Sequence, residues 1–296
     1  MNRITRITGI IIISLVLLVS TVNAQNTYMT EAGVRVASDS KDEKACKTPR
    51  DGIYNRYLHK EKMPLPYDYI HEKDVFWEKR IWREVDTREK MNHVFISPHG
   101  PLITTILDAA KEGDITLYST WDDRFTQALT QEEIQGLMSS SDTISIYDPI
   151  TFRDSIVVVN NEFNWEDIQK YRIKEVWYFD EETSSLGVRI LGIAPIVNRY
   201  DDDGNFLNSG AMFWAYYPEL RKIFAQTETF NPMNDGARLS WDDIFEARLF
   251  SSYVIKENNV HDRRIQDYAK NGVNALLESE RIQSEVFNFE HDLWSY

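Results

Sequence analysis

Six histidines stand at positions 59, 71, 93, 99, 261 and 291, and no two are three or four residues apart. Two imidazoles on one helix face, the arrangement that grips zinc, are therefore missing from the sequence, as is H-E-x-x-H. His93 and His99 flank Ser97-Pro98, the nearest approach to a catalytic loop, but the serine lacks the G-x-S-x-G elbow and the sequence specifies no partner carboxylate. Unpaired surface or capping histidines are the simpler account. The acidic run Asp201-Asp202-Asp203-Gly204-Asn205 has the oxygen-rich character that calcium takes. With Gly204 as the sixth loop position, however, the first and twelfth would be Arg199 and Gly210, so both end ligands fail. An acidic hairpin tip fits better, since Asp, Gly and Asn are ordinary turn residues. None of the twelve glycines precedes a lysine, which removes the phosphate cradle of a nucleotide-driven enzyme. The reading is of a chain without catalytic, metal or cofactor residues.

The ends and the composition set the compartment. Arg3 and Arg6 precede the apolar run Ile7 to Val19, and the small-residue site Val22-Asn23-Ala24 follows, so residues 1–24 read as a secretory signal with the mature chain starting near Gln25. That run is shorter than the roughly 20 residues needed to span a bilayer, which argues against direct membrane insertion. The single cysteine, Cys46, lies too far behind it to carry a lipid and cannot form a disulfide within the chain. It is an inert thiol or a bridge to a partner. Loss of the signal removes two arginines and no acid, taking the formal charge from −14 to −16. Such a field opposes nucleic acid and anionic membrane surfaces and suits a basic protein partner.

Residues 25–47 are polar without apolar periodicity and read as a flexible arm; residues 48–296 read as a core, with a division into two subdomains near 160 as one option. Within the core, Tyr54, Tyr57, Tyr67 and Tyr69 lie in a segment punctuated by prolines and read as extended chain laid on a surface. Val75 to Met91 fits either a strand or a helix. Gly100-Pro101 opens a helix that Gly113 stops, Ile115 to Tyr118 follows as a strand, and the capping box Thr130-Gln131-Glu132-Glu133 starts another helix. Ile144 to Tyr147 and Ile156 to Val159 read as strands around an Asp148-Pro149 turn. Asn164 caps a short helix ahead of a hairpin formed by Ile173 to Phe179 and Leu186 to Ala194. Met212 to Tyr217 supplies another strand, and Pro218 starts a helix. The pattern Trp-acid-Asp-Ile-x-x-x-Arg at Trp165–Arg172 recurs at Trp241–Arg248, as a repeated helix start or a duplication. Beyond Ile265 the chain reads as helical, with apolar residues on both faces that must dock on something. The fold class is α+β: a partly antiparallel sheet, short helices and a helical C-terminal region.

Several long phrases together resemble the GldN/PorN family of gliding-motility and type IX secretion proteins. They include Asp51-Gly52-Ile53-Tyr54, Lys79-Arg80-Ile81-Trp82-Arg83-Glu84-Val85-Asp86, Lys174-Glu175-Val176-Trp177-Tyr178-Phe179-Asp180, Phe213-Trp214-Ala215-Tyr216-Tyr217-Pro218 and Tyr253-Val254-Ile255-Lys256-Glu257-Asn258-Asn259. The resemblance spans roughly Pro49 to Tyr296. It implies a periplasmic structural subunit that forms a ring with an outer-membrane lipoprotein of the GldK/PorK type. It also implies contact with the periplasmic domain of a GldM/PorM-type motor protein. On that implication, attachment to the outer membrane is indirect, through the lipoprotein.

Two other classes compete: a hydrolase using the His93–His99 loop, and a glycan-binding module using the eight tryptophans as stacking platforms. Trp77, Trp82, Trp177 and Trp214 sit in apolar stretches, so core packing is the default for them. As partner contacts the sequence offers Tyr54, Tyr57, Tyr67 and Tyr69, Cys46 as a disulfide partner, and the C-terminal helices, because aromatic anchors typify interface cores. The competing account is that these stretches close the fold.

Overall fold

A computed structural model describes residues 58–294 apart from 99, 149–152, 163, 201–204, 235 and 238. The signal, the arm, Cys46, Tyr54, Tyr57, His99, the Asp148-Pro149 turn and the tip of the acidic loop lie outside the described residues.

Strand β1 (Val75–Asp86) resolves the ambiguous segment. Its β-branched and aromatic residues suit a pleated surface, and it is paired on both edges, against β5 (Ile168–Asp180) and β11 (Tyr253–Glu257). From β5 the chain turns back into β6 (Ser185–Tyr200), as the hairpin pattern predicts. Both strands run further than their apolar cores suggest. The sheet continues through β8 (Trp214–Tyr216) to β2 (Leu117–Tyr118), giving the order β11-β1-β5-β6-β8-β2, with β7 (Phe206–Ala211) also on β6. Every pairing is antiparallel. Two separate ribbons join β3 (Ser139–Asp148) to β4 (Arg153–Glu162) and β9 (Glu228–Thr229) to β10 (Leu239–Ser240).

The helices start and stop where local chemistry says they should. Helix α1 (Leu102–Glu112) ends on Gly113 at φ 82°, a left-handed cap that glycine adopts without strain. In α2 (Gln131–Met138), Glu133 accepts from the Thr130 amide at 2.7 Å while the Thr130 hydroxyl accepts from the Glu133 amide at 3.3 Å, a complete capping box. Helix α3 (Tyr217–Gln226) has Pro218 in its first turn. Helix α4 (Trp241–Glu246) is capped reciprocally by Ser240 and Asp243. The related Trp165 segment makes only one 3-10 turn, capped by Asn164, before β5 begins. The shared pattern is thus a helix start that one context extends and the other cuts off. The C-terminal part forms α5 (Ile265–Tyr268) and the long α6 (Gly272–Trp294). The α+β reading holds, with the main sheet antiparallel throughout.

The core divides by sheet face. Alternation along β1 sends Val85 toward α1, α3 and α4, where Phe95, Leu102, Ile106, Tyr217, Phe224 and Trp241 are fully buried. On the same face Ile81 and Val254 pack against Ile282 and Val286 of α6. The opposite face carries Trp82 and Trp214, both buried as expected, under a loop whose Phe125 lies against Gly192. A Cβ at Gly192 would come within 2.6 Å of that ring, so the absent side chain is what admits it.

Candidate interaction surface

Helix α6 is pinned to the sheet along one stripe. The Val254 amide on β11 donates to Ser279 Oγ at 2.7 Å, which helps close the exposed edge of the sheet. Phe289 stacks on Trp77 at 4.5 Å between centroids, and Lys79 reaches Glu285 at 3.3 Å. The stripe is narrower than the apolar content of the helix. Val273, Leu276, Leu277 and Phe287 stay exposed, at 58% for Leu276 and 59% for Leu277, so among the described residues only one of the two apolar faces docks. Beside the start of α6, a groove of about 830 Å³ runs between β11 and α5, lined by Val254, Ile255, Ile265, Ala269, Val273 and Leu276. Exposed apolar side chains beside an apolar groove mark a candidate interaction site.

The tyrosine segment divides in two. Tyr67 is absorbed by the fold: its hydroxyl donates to Glu246 Oε1 at 2.5 Å, and its ring lies between Arg221, 3.9 Å from the centroid, and Arg189, 4.8 Å away. Burial, then the hydrogen bond to Glu246, push its hydroxyl well above the usual tyrosine range. Around it, Lys62 bonds Asp243 at 2.5 Å and Arg221 donates to the Leu65 carbonyl at 2.7 Å. Residues 62–68 thus form a strap closing over α3 and α4. Tyr69 is different, 81% exposed and in edge contact with His71. His93 is exposed and its Nε2 lies 3.2 Å from the Arg88 carbonyl oxygen, a local contact with no nucleophile in it.

Charges embedded in the strands tie them together. On the face opposite α6, Glu84 accepts from Arg172 at 2.8 Å and from the Tyr253 hydroxyl at 2.8 Å, with Lys170 at 3.4 Å. Burial alone would raise the Glu84 carboxyl, but Arg172, Tyr253 and Lys170 outweigh it and hold the value below the usual range. A depressed carboxyl adds stability that is present above its unfolded value, about 4.3, and is lost as pH falls through the lower folded value. Glu84→Gln is therefore expected to be less stable than wild type at neutral pH. The gap in urea midpoint should shrink as pH drops below about 4. A gap independent of pH would show that the charge contributes nothing.

Among the described residues no group of three or more His, Cys, Asp or Glu side chains is placed to hold a metal ion, and no helix is long and apolar enough to cross a membrane. Residues 70–295 match the family model described as gliding motility associated protein GldN. That stretch takes in the whole main sheet, the groove and α6 up to its end. The chain belongs to the GldN family. A search of curated proteins returns no match. The GldN match begins after Tyr69, so the strap lies outside it while the α6 surface lies within. The family is described by its association with gliding motility.

Sequence reasoning did not single out the buried ion cluster of Arg83, Glu175 and Arg248, in which Glu175 is fully buried. The available signal was the placing of charged residues inside apolar strand runs, at Arg83 between Ile81 and Val85 and at Glu175 between Ile173 and Trp177.

Proposed function

We infer that this GldN-family chain is a non-enzymatic structural subunit of the type IX secretion and gliding machinery. It works in the periplasm, held at the outer membrane by a lipoprotein with which it forms a ring, and meets the periplasmic part of the motor. The observation that carries this reading is the outward apolar side of α6 beside its groove, a surface suited to subunit contact and lying inside the GldN match. Pull-down of the tagged full-length chain from native membranes is expected to bring the lipoprotein down in a megadalton ring. Recovery of a lone monomer would overturn the reading.

A second reading, glycan binding, draws support from Trp121. It is 91% exposed beside a polar cleft of about 540 Å³ lined by Trp82, Trp214, Asp122, Asp123 and Arg124. An exposed indole over polar side chains suits a sugar ring. Sedimentation of the purified chain with peptidoglycan, lost in Trp121→Ala, is the expected result on this reading; failure to sediment removes it.

A further inference from the structure

Glu175 lies on the sheet face that α6 covers, and one carboxylate there faces two guanidinium groups. Arg248 Nη2 donates to Glu175 Oε1 at 2.9 Å, and Trp177 Nε1 donates to Oε2 at 3.1 Å. Arg83 Nε stands 3.3 Å from Oε2, inside ion-pair range but outside hydrogen-bond geometry. Arg83 is only 5% exposed, and its Nη1 donates to Ser252 Oγ. Arg248 Nη1 is buried with no acceptor among the described residues. The cluster therefore holds one more positive charge than negative, together with unused donors. Arginine does not relieve such an excess by losing its proton.

A cleft of about 460 Å³ opens on these groups beneath α6. Arg83, Arg248, Ser251 and Gln283 are among its polar lining residues, Trp177 and Phe287 among its apolar ones, and no Asp or Glu is among the described residues that line it. Phe287 is 70% exposed, so the cleft borders the outward surface of α6. Two guanidinium groups that share one carboxylate leave a net positive charge at the cleft, which favours an anion, and a planar guanidinium matches a carboxylate in shape. The aromatic walls ask for an apolar group next to that carboxylate.

We propose that the cleft between α6 and the sheet, headed by Arg83 and Arg248, receives an aspartate or glutamate side chain of a protein partner, flanked by an aromatic or aliphatic residue. That the carboxylate comes from a protein rests on the assembly reading above; the anion site itself does not. Calorimetric titration of the full chain with acetyl-aspartyl-phenylalanine amide is expected to show binding that the asparaginyl counterpart lacks. Arg248→Gln should weaken it at least about tenfold. Gln283→Glu, at an exposed position, places a carboxylate at the cleft and should abolish peptide binding while raising the thermal midpoint. Equal binding of the two peptides, no binding of either, or a lower midpoint in Gln283→Glu overturns the site. Binding of phenylacetate without the aspartyl peptide overturns the protein source. If the peptide results hold but the chain proves monomeric in membranes, the anion site stands and the assembly reading falls.

Discussion

Glu175→Gln is expected to destabilise the fold by about 3–5 kcal/mol, measured as a drop in the urea-extrapolated unfolding free energy. The effect is large because the carboxylate is fully buried and is the acid that Arg83 and Arg248 share. Glutamine keeps the shape, so packing survives, but two guanidinium groups are left facing each other without a counter-charge. The same cluster joins β1 and β5 to the turn after α4, where Arg248 sits at φ 53°, a backbone state that arginine rarely adopts unaided. Arg248→Gln should cost less, since its side chain is 27% exposed and water can replace part of the pair. If Glu175→Gln unfolds within about 1 kcal/mol of wild type, the cluster is not a structural centre.

The second large effect concerns assembly and leaves folding alone. Leu276→Asp combined with Leu277→Asp is expected to shift the thermal midpoint little, because both residues are more than half exposed and surface changes usually stay within about 0.5 kcal/mol. If the outward side of α6 is the centre of a subunit contact, each leucine should contribute on the order of 2 kcal/mol there. The pair would then weaken association by well over about 30-fold. Introduced charge would also meet apolar partner surface, adding the desolvation of a carboxylate to the loss of contact. Normal folding with lost assembly is the signature; lost folding would show that the leucines belong to the core.

Local chemistry was readable where the decision is local. Gly113, the Thr130–Glu133 box, Ser240 with Asp243, and Pro218 each fix a helix end through groups a few residues apart, and the structure has them as the sequence implies. The β5–β6 hairpin was equally visible from its alternation and polar turn. What stayed open depended on distant chain. Val75 to Asp86 becomes a strand because β5 and β11, about a hundred residues or more away, pair with its two edges, and no window of sequence contains that fact. Strand β7 escaped notice because its residues are mostly exposed and show no apolar alternation. Tyr67 looked like Tyr69 in sequence, and only the fold brings Arg189, Arg221 and Glu246 around one of them. The long C-terminal pattern gave two apolar faces, and the sheet takes only one. For the candidate site, the family resemblance pointed to assembly as a role, while the particular surface came from seeing which leucines the core leaves out.

The most direct test of the structural-subunit account compares the particle size of the full-length chain extracted from native membranes with that of the Leu276→Asp, Leu277→Asp variant. The account predicts a large ring containing the lipoprotein for wild type, and a folded, ring-free chain for the variant. Rings of unchanged size and yield in the variant would contradict the role given to α6, and a wild-type chain running as a lone monomer would contradict the account as a whole.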